Sequence, residues 1–269
     1  MADPLKLLFV YAHPDDETLG TGGVTAKYAA EGVEVYLVTA TRGERGWFGE
    51  ETDNPGLTKL GRLREAELHA AAKILGIREV NFLDYIDGDL DQADHNEVIG
   101  KIVAHLRRIR PQVVVTFGPD GAYGHPDHIA ICQFTQAAIL CAADSSYGDG
   151  PPHRVAKFYY TVDRVELAKA LEPYFGIISM TIDGVERKQV VWEDWAITTW
   201  VDCDGYWRQA WQAAQCHQTQ LPSLGDIVKV ADKIAPVAWG TQTFYRVFSL
   251  VNAGRKVEHD LFEGLQDYR

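Results

Sequence analysis

Short apolar runs alternate with longer amphipathic segments through the first two thirds of the chain. The apolar runs contain many β-branched residues, as expected for strands that are buried on both faces. Each run is followed by a segment with the spacing of a helix that has one apolar side. We therefore predict strands at Lys6–Ala12, Val33–Thr41, Glu79–Leu83 and Val113–Phe117.

The amphipathic segments between these runs predict helices. Gly76 is typical of a helix C-terminus, and Pro111 stops the helix before it. The helices are expected at Thr18–Gly32, Thr58–Gly76, Asn96–Arg110 and Pro126–Ala143. Regular alternation of strand and helix indicates an α/β fold, here a Rossmann-like, doubly wound and mostly parallel sheet.

The last third of the chain has a less regular pattern. It predicts a strand at 155–162, a helix at 164–175, a hairpin at 179–192 that turns at Asp183-Gly184, and a helix at 205–218. We interpret this part as a C-terminal cap or sheet extension. The chain is then a single domain over residues 1–269, with a core half at 1–145 and an extension at 153–269.

The composition is that of an ordinary globular protein, and the charge narrows the class of partner. Hydrophobic residues make up 46% and charged residues 24% of the 269 residues. A net charge of −12 without a basic stripe argues against nucleic acid and anionic membranes. The cysteines form no C-x-x-C pair, and the N-terminal apolar run is too short to span a membrane. We therefore expect a reduced, cytoplasmic protein.

Two short polar motifs follow predicted strands and carry the chemistry. The first, AHPDDE at 12–17, comes directly after the first strand, and the second, GHPDH at 124–128, comes after the fourth. In a parallel sheet both motifs lie beyond the carboxyl ends of the strands, where such folds bind their ligands. A single His-Pro-Asp turn is often only a helix cap, but two in one sheet favour a functional site.

The residue types in these motifs indicate a catalytic metal site. His125 and His128 are three residues apart, which places both imidazoles on one side of a helical turn. His13, Asp16 and His128 provide two imidazoles and one carboxylate, and they leave metal positions open for water and substrate. Such a set suits zinc and also ferrous iron. Asp15 is a second carboxylate that can take a proton from water.

The two motifs resemble those of the PIG-L/LmbE-like de-N-acetylases, which include the deacetylases of mycothiol and bacillithiol biosynthesis. The resemblance is strong over residues 5–145, and CHQTQ at 216–220 is similar to the late H-x-[ST]-Q pattern of the family. It implies a zinc-dependent hydrolase that removes an acetyl group from the nitrogen of an N-acetylglucosamine-type substrate. It also implies that His13, Asp16 and His128 hold the zinc.

The resemblance further implies roles for the residues around the metal. Asp15 matches the general base, which would later return its proton to the leaving amine. His125 matches the residue that stabilises the oxyanion, and Asp127 the residue that keeps this imidazole protonated and oriented. Tyr123 resembles a tyrosine that some members use at the same oxyanion; the alternative is a loop tyrosine that packs on the helix.

The resemblance also concerns residues near the substrate. Arg64 resembles an arginine that binds sugar hydroxyls, and the alternative is a surface pair with Glu67. Glu17 resembles a residue that supports the site, and we group it with Arg64 in the substrate-binding set. His217 lines the site in one interpretation and is simply packed or exposed in the other. The loop TRGERG at 41–46 resembles the family's loop after the second strand.

Some alternatives remain open at this point. The Trp-rich segment 192–211 fits core packing, and a carbohydrate or subunit surface is the other interpretation. The enzyme could instead be an amidase of a thiol-sugar conjugate or a deacylase of a secondary metabolite. A non-catalytic sugar-binding protein is disfavoured because Asp15 is present, and a nicotinamide oxidoreductase because G-x-G-x-x-G is missing. A homo-oligomer is compatible with the several assemblies that the family forms.

Overall fold

The computed structural model describes residues 4–182, 184–224, 227–251 and 256–265. Most strands in this part of the chain belong to one large sheet. The strands are β1 (Lys6–Tyr11), β2 (Glu34–Thr41), β3 (Glu79–Tyr85), β4 (Val113–Phe117), β5 (Lys157–Thr161), β6 (Ser179–Ile182), β7 (Val185–Lys188), β8 (Thr199–Asp202) and β9 (Thr241–Ser249).

Helices connect the strands of the first half and cover the sheet in the second. The α-helices are α1 (Asp16–Leu19), α2 (Gly22–Ala30), α3 (Leu57–Leu75), α4 (His95–Ile109), α5 (Gly121–Gly124), α6 (Pro126–Ala143), α7 (Val165–Phe175), α8 (Trp207–Ala214) and α9 (Ile227–Trp239). No described helix combines the length and the apolarity needed to cross a membrane.

The large sheet has seven strands in the order β3-β2-β1-β4-β5-β9-β8. The first five of these strands are parallel, while β9 runs antiparallel to both β5 and β8. Nearly every residue of β1, β2 and β4 is buried, which explains their continuous apolar pattern. The predicted α/β fold with a mostly parallel sheet is confirmed.

The strand order fixes where a ligand site can form. From β1 the chain moves outward to β2 and β3, and then returns to β4 on the other side of β1. Because right-handed crossovers in opposite directions lie on opposite faces, α2 and α3 cover one face while α4 and α6 cover the other. The switch point between β1 and β4 is where such sheets open a crevice at their carboxyl edge. The two sequence motifs follow these two strands.

The first predicted helix, Thr18–Gly32, is wrong in one respect, because the structure divides it into α1 and α2. A Cβ atom at Gly23 would collide with the backbone of Trp239 and lie 3.1 Å from the Gln242 side chain. Gln242 also accepts a hydrogen bond from Val24 N (2.6 Å) and donates one to the Gly20 carbonyl (2.7 Å). The glycines therefore let the C-terminal part of the chain pack tightly against α2.

The C-terminal extension adds strands to the sheet and a helical layer over α2 and α3. The hairpin forms as β6 and β7, although Asp183 of its expected turn lies outside the described residues. The last predicted helix is shorter than expected, since α8 covers only Trp207–Ala214. The sequence pattern did not predict β8, α9 or β9. The sequence of β9, TQTFYRVFS, alternates only in part between polar and apolar residues.

A buried polar cluster attaches the segment 256–265 to β5. The carboxylate of Glu258 is fully buried and accepts hydrogen bonds from Lys157 Nζ (2.8 Å) and from the Tyr159 hydroxyl (2.6 Å). Lys157 Nζ also donates to the carbonyl of Glu263 at 3.0 Å. Charges without water are tolerable only in such fully bonded groups.

We expect Glu258→Ala to lower the free energy of unfolding by about 3–5 kcal/mol, because Lys157 then remains charged and buried without its carboxylate. Urea unfolding followed by circular dichroism measures this change. The control is Lys256→Ala, which breaks the exposed pair with Glu263 and should cost less than about 1 kcal/mol. Equal effects of the two substitutions would contradict a larger stabilising role for the buried contact between Glu258 and Lys157.

Candidate active site

The first motif forms a strained turn between β1 and α1. Asp15 has φ 114°, in the left-handed region that favours glycine. Its carbonyl accepts the N–H groups of Thr18 (2.9 Å) and Leu19 (2.8 Å), and its own N–H donates to Glu17 Oε2 (2.9 Å). These bonds offset the backbone strain. They hold the Asp15 carboxylate, which is 15% exposed, at the carboxyl edge of the sheet.

The second motif forms the start of α6. His125 is the N-cap residue and Pro126 occupies the first helical position, where its missing N–H costs no hydrogen bond. The rings of His125 and His128 stack at 4.6 Å, as their spacing predicts, and His128 also stacks on Phe117 at 3.8 Å. Both imidazoles are thus fixed over the end of β4.

His13, Asp16 and His128 converge on one point. His13 Nδ1 lies 3.1 Å from His128 Nε2, and the Asp16 carboxylate lies 3.6 Å from His128 Nε2 and 3.8 Å from His13 Nδ1. Donor atoms around a tetrahedral zinc ion, bonded at 2.0–2.1 Å, are about 3.3 Å apart. Asp16 Oδ2 is held in place by the N–H groups of Ala12 (3.1 Å) and His13 (2.8 Å). The spacing of the three donors fits a metal ion.

The surroundings of His13 support the same conclusion. Its Nε2 lies 3.1 Å from both Asp127 Oδ2 and Asp87 Oδ1, so Nε2 carries a proton and Nδ1 faces His128. Although burial disfavours the charged ring, these two carboxylates raise the pKa of His13 to about 10. Two imidazole nitrogens that face each other must share either a proton or a cation, and a metal ion replaces that proton.

Two other groups of donor atoms also lie within 4.8 Å of one another, namely His13 with His125 and His128, and His13 with Asp87 and Asp127. The second group is a poorer candidate, because Asp127 already accepts the N–H groups of Gly88 (2.7 Å) and Leu90 (3.1 Å). Its fully buried carboxylate orients His13 and ties β1 to the loop after β3.

This geometry corrects the expected relation between Asp127 and His125. The Asp127 carboxylate contacts His13, and only its backbone N–H reaches His125, at Nδ1 (3.1 Å). Since Nδ1 accepts a hydrogen bond, the ring proton lies on Nε2. Burial and then the nearby charge of His13 lower the pKa of His125 to about 4. His125 is therefore a neutral donor and not the imidazolium that the resemblance implies.

Arg64 lies behind Asp15 and not on the surface. It is 4% exposed and donates to the carbonyls of Pro14 and Gly43, and its Nη2 lies 3.1 Å from Asp15 Oδ2. The alternative of a surface pair with Glu67 is wrong, because Glu67 accepts bonds from Thr219. A Cβ atom at Gly43 would collide with Arg64, which explains the glycine in that loop.

Glu17 and His217 also lie behind Asp15. Glu17 is fully buried, and its Oε1 is 3.0 Å from Nε2 of His217, which is 2% exposed. Burial disfavours a charge on His217, but Glu17 raises its pKa above the ordinary value. Our grouping of Glu17 with substrate-binding residues is therefore corrected, since its carboxylate supports Asp15 from within the protein. His217 is buried next to the site and does not line its surface.

Tyr123 lies at the rim of the site in the loop before His125. Its ring centroid is 5.5 Å from that of His128 and 5.9 Å from that of His125. Burial raises the pKa of its hydroxyl, which therefore stays protonated at neutral pH. The position is compatible with a hydrogen bond to a bound ligand.

Sequence reasoning missed Asp87. Its carboxylate is buried between His13 Nε2 (3.1 Å) and the N–H of Arg45 (3.0 Å). Its sequence context, Asp-Gly in a loop, is typical of an ordinary turn. The available signal was its place shortly after β3, since the carboxyl ends of parallel strands meet at one edge of the sheet.

The Trp-rich segment mainly serves packing. Trp207 is 8% exposed, and Trp192 packs on Tyr245 with ring centroids 5.2 Å apart. Trp195 is different, with 87% of its surface exposed. The core interpretation therefore holds for Trp192 and Trp207, and Trp195 has no such explanation.

Two imidazoles and one carboxylate around a point, with a further carboxylate beside it, are an arrangement typical of metal-dependent hydrolases. A profile of the family described as PIG-L, GlcNAc-PI de-N-acetylase, matches residues 8–139. A 1D-myo-inositol 2-acetamido-2-deoxy-alpha-D-glucopyranoside deacetylase from Streptomyces griseus is 35% identical, covering 97% of this chain and 89% of the relative. The chain belongs to the PIG-L family of deacetylases. The predicted family and the predicted amide-hydrolysing enzyme class are confirmed.

Solved structures share the fold. One is an N,N'-diacetylchitobiose deacetylase from Pyrococcus horikoshii, with TM-score 0.69, 20% identity, and coverage of 91% of this chain and 84% of that chain. Another is the 4-carboxy-2-hydroxymuconate hydratase of Pseudomonas putida KT2440, with TM-score 0.65, 21% identity, and coverage of 93% and 99%. At these identities the likeness concerns the fold alone, and it includes more than one kind of reaction.

We expect His13→Ala, Asp16→Ala and His128→Ala each to abolish stoichiometric binding of zinc, because each removes one of three donors. Asp87→Asn should weaken zinc binding by roughly 10- to 100-fold, because Asp87 orients the donor His13 and does not itself bind the metal. Elemental analysis and competition with a chromogenic chelator measure both effects. His69→Ala, on the exposed side of α3, is the control. Full zinc binding by His128→Ala would rule out the proposed donor set.

We expect Glu17→Gln to lower the rate of deacetylation by roughly tenfold and to leave metal content unchanged, because Glu17 orients Asp15 and not a metal donor. Steady-state kinetics with parallel metal analysis test this. Glu31→Gln removes an exposed carboxylate and should change neither quantity. Loss of the metal in Glu17→Gln would show that Glu17 maintains the donor set instead.

Proposed function

We propose that this chain is a zinc-dependent deacetylase that hydrolyses the acetamide of an N-acetylglucosamine joined to inositol. Acetate and the free amine are the products. The observation that carries the reaction type is the partly exposed Asp15 carboxylate, which lies beside three convergent metal donors and is paired with Arg64 at 3.1 Å. The named activity of relatives that align with nearly the whole chain supports the choice of substrate.

His13, Asp16 and His128 would hold the ion, and zinc suits this donor set best, with ferrous iron as the alternative. When bound, zinc supplies a Lewis acid that polarises a carbonyl oxygen and acidifies water. His13 and His128 are buried, and the Asp16 side chain is 9% exposed. Asp127 and Asp87 fix His13, backbone N–H groups fix Asp16, and stacking on Phe117 fixes His128, so the site is formed before substrate arrives.

Asp15 moves the proton. Burial raises the pKa of its carboxyl above the ordinary value, against the opposing charge of Arg64, and this makes the carboxylate a better proton acceptor. Asp15 accepts a proton from the water that attacks the acetyl carbon. It then donates this proton to the amide nitrogen as the carbon–nitrogen bond breaks, so the amine leaves as a neutral group.

His125 and Tyr123 stabilise the negative charge that develops on the acetyl oxygen. His125 offers Nε2–H because its Nδ1 is occupied by a backbone N–H, and Tyr123 offers its hydroxyl. Neutral donors that are held in place before the reaction need little reorganisation in the transition state. Arg64 keeps Asp15 in position, and its contact with sugar hydroxyls stays a prediction.

We further infer a cytoplasmic enzyme that acts as one domain over residues 1–269 on a small amino sugar. The net charge of −12 supports a partner other than nucleic acid or an anionic membrane. The strands β5, β8 and β9 of the extension share the sheet of the core half, which supports a single domain. A homo-oligomer stays a prediction.

We expect zinc-loaded protein to release acetate from N-acetylglucosaminyl-inositol at a higher kcat/KM than from N-acetylglucosamine, diacetylchitobiose or a thiol-sugar conjugate. Chelator-stripped protein should be inactive, and zinc should restore the activity. Asp15→Asn should lower kcat by roughly 10²- to 10⁴-fold with full metal content, because it removes the general base.

The control for this experiment is Asp53→Asn, an exposed carboxylate in another loop, which should act as the parent. If the protein prefers a thiol-sugar conjugate, the proposed substrate is wrong but the proposed reaction stands. Release of no acetate from any member of the panel by zinc-loaded protein would refute the proposed reaction.

A further inference from the structure

The loop between β4 and α6 has an unusual backbone. Gly121, Ala122 and Gly124 have positive φ values of 63°, 65° and 77°. For Ala122 this conformation is strained, because its Cβ atom crowds the backbone, and such residues persist only where neighbours hold them. The loop carries Tyr123 and leads directly into His125. Its conformation therefore sets where the two proposed oxyanion donors lie.

A segment from the C-terminal extension, which we call the strap (residues 187–192), lies along this loop. Val190 N–H donates to the Ala122 carbonyl at 2.7 Å, and Arg187 Nη1 donates to the Gly124 carbonyl at 3.1 Å. These carbonyls flank Tyr123 on both sides. The side chain of Arg187 also packs on Gly124, where a Cβ atom would come within 2.7 Å of Arg187 Cδ.

Trp192 completes the contact at the other end of the strap. Its Nε1–H donates to Asp120 Oδ2 at 3.1 Å, and the other oxygen of Asp120 accepts Ala122 N–H at 2.8 Å. Trp192 N–H donates to the Asp163 carbonyl at 2.7 Å, and its ring packs on Tyr245 of β9. The strap is thus attached to the sheet on one side and to the loop on the other.

We propose that Arg187, Val190 and Trp192 are positioning residues for deacetylation, which hold the loop so that Tyr123 and His125 face the acetyl oxygen. This inference rests on the proposed function. Donors that the strap holds in place need no reorganisation in the transition state. If the loop relaxed its backbone strain, it would move these donors, and a displacement of about 1 Å can lower the rate by about 10²-fold. This positioning role would let the hairpin region affect catalysis without contacting the substrate.

The test compares Trp192→Phe, which keeps an aromatic ring but removes the indole N–H, with Arg187→Met, which keeps most of the aliphatic stem and removes the guanidinium. We expect kcat to fall roughly 5- to 20-fold in each, with KM within twofold and full zinc content, because donor alignment acts mainly in the transition state. Trp195→Phe and Arg154→Met make the same changes at exposed positions and should behave as the parent. A rise in KM at constant kcat, or parent-like kinetics in both strap variants, would overturn the proposal.

Two further readouts separate positioning from a general structural effect. In a background that lacks both donors, Tyr123→Phe with His125→Ala, the strap substitutions should cost less than about twofold, because the donors through which they act are already missing. An undiminished effect in that background would contradict the proposal. Hydrogen exchange of the amides at 120–125 should become faster in both strap variants and not in the controls. This readout needs no substrate: faster exchange supports the strap and unchanged exchange overturns it, even if the parent protein fails to deacetylate the panel.

Discussion

The contact between His13 and the buried Asp127 carboxylate is the interaction on which the site depends. Asp127 accepts two backbone N–H groups from the loop after β3 and orients a histidine that follows β1, while it belongs itself to the helix after β4. One carboxylate thus joins three strand ends at the switch point of the sheet. Because it fixes the proton on His13 Nε2, it turns Nδ1 toward Asp16 and His128. Without this contact the two sequence motifs would be neighbours but would not form a donor set.

The last third of the chain supports the site from two directions. His217 reaches Glu17 behind Asp15, and the strap reaches the loop that carries Tyr123. The core half carries the proposed metal donors and the proposed general base, and the extension contacts the residues around them. A hydratase has a closely similar fold, so reaction and substrate depend on these side chains and not on the sheet.

Local patterns in the sequence predicted what is local in the structure. The hydrophobic pattern located the buried strands β1, β2 and β4. The residue types and their spacing located the two motifs. Asp87, and the choice of His13 over His125 as partner of Asp127, depend on contacts between loops that are distant in sequence. Arg64 was recognised but its place behind Asp15 was not, because only the packing against Gly43 excludes a surface position. β8 and β9 escaped prediction because their alternation is incomplete.

The most direct test of the account is anomalous diffraction at the zinc edge from crystals grown with zinc. We expect a single peak within about 2.0–2.2 Å of His13 Nδ1, His128 Nε2 and an Asp16 oxygen. Such a peak would confirm that the orientation imposed by Asp127 creates the metal site. A peak held by His13, Asp87 and Asp127, another group of donors around the same histidine, would contradict it, as would the absence of any ordered zinc at these residues.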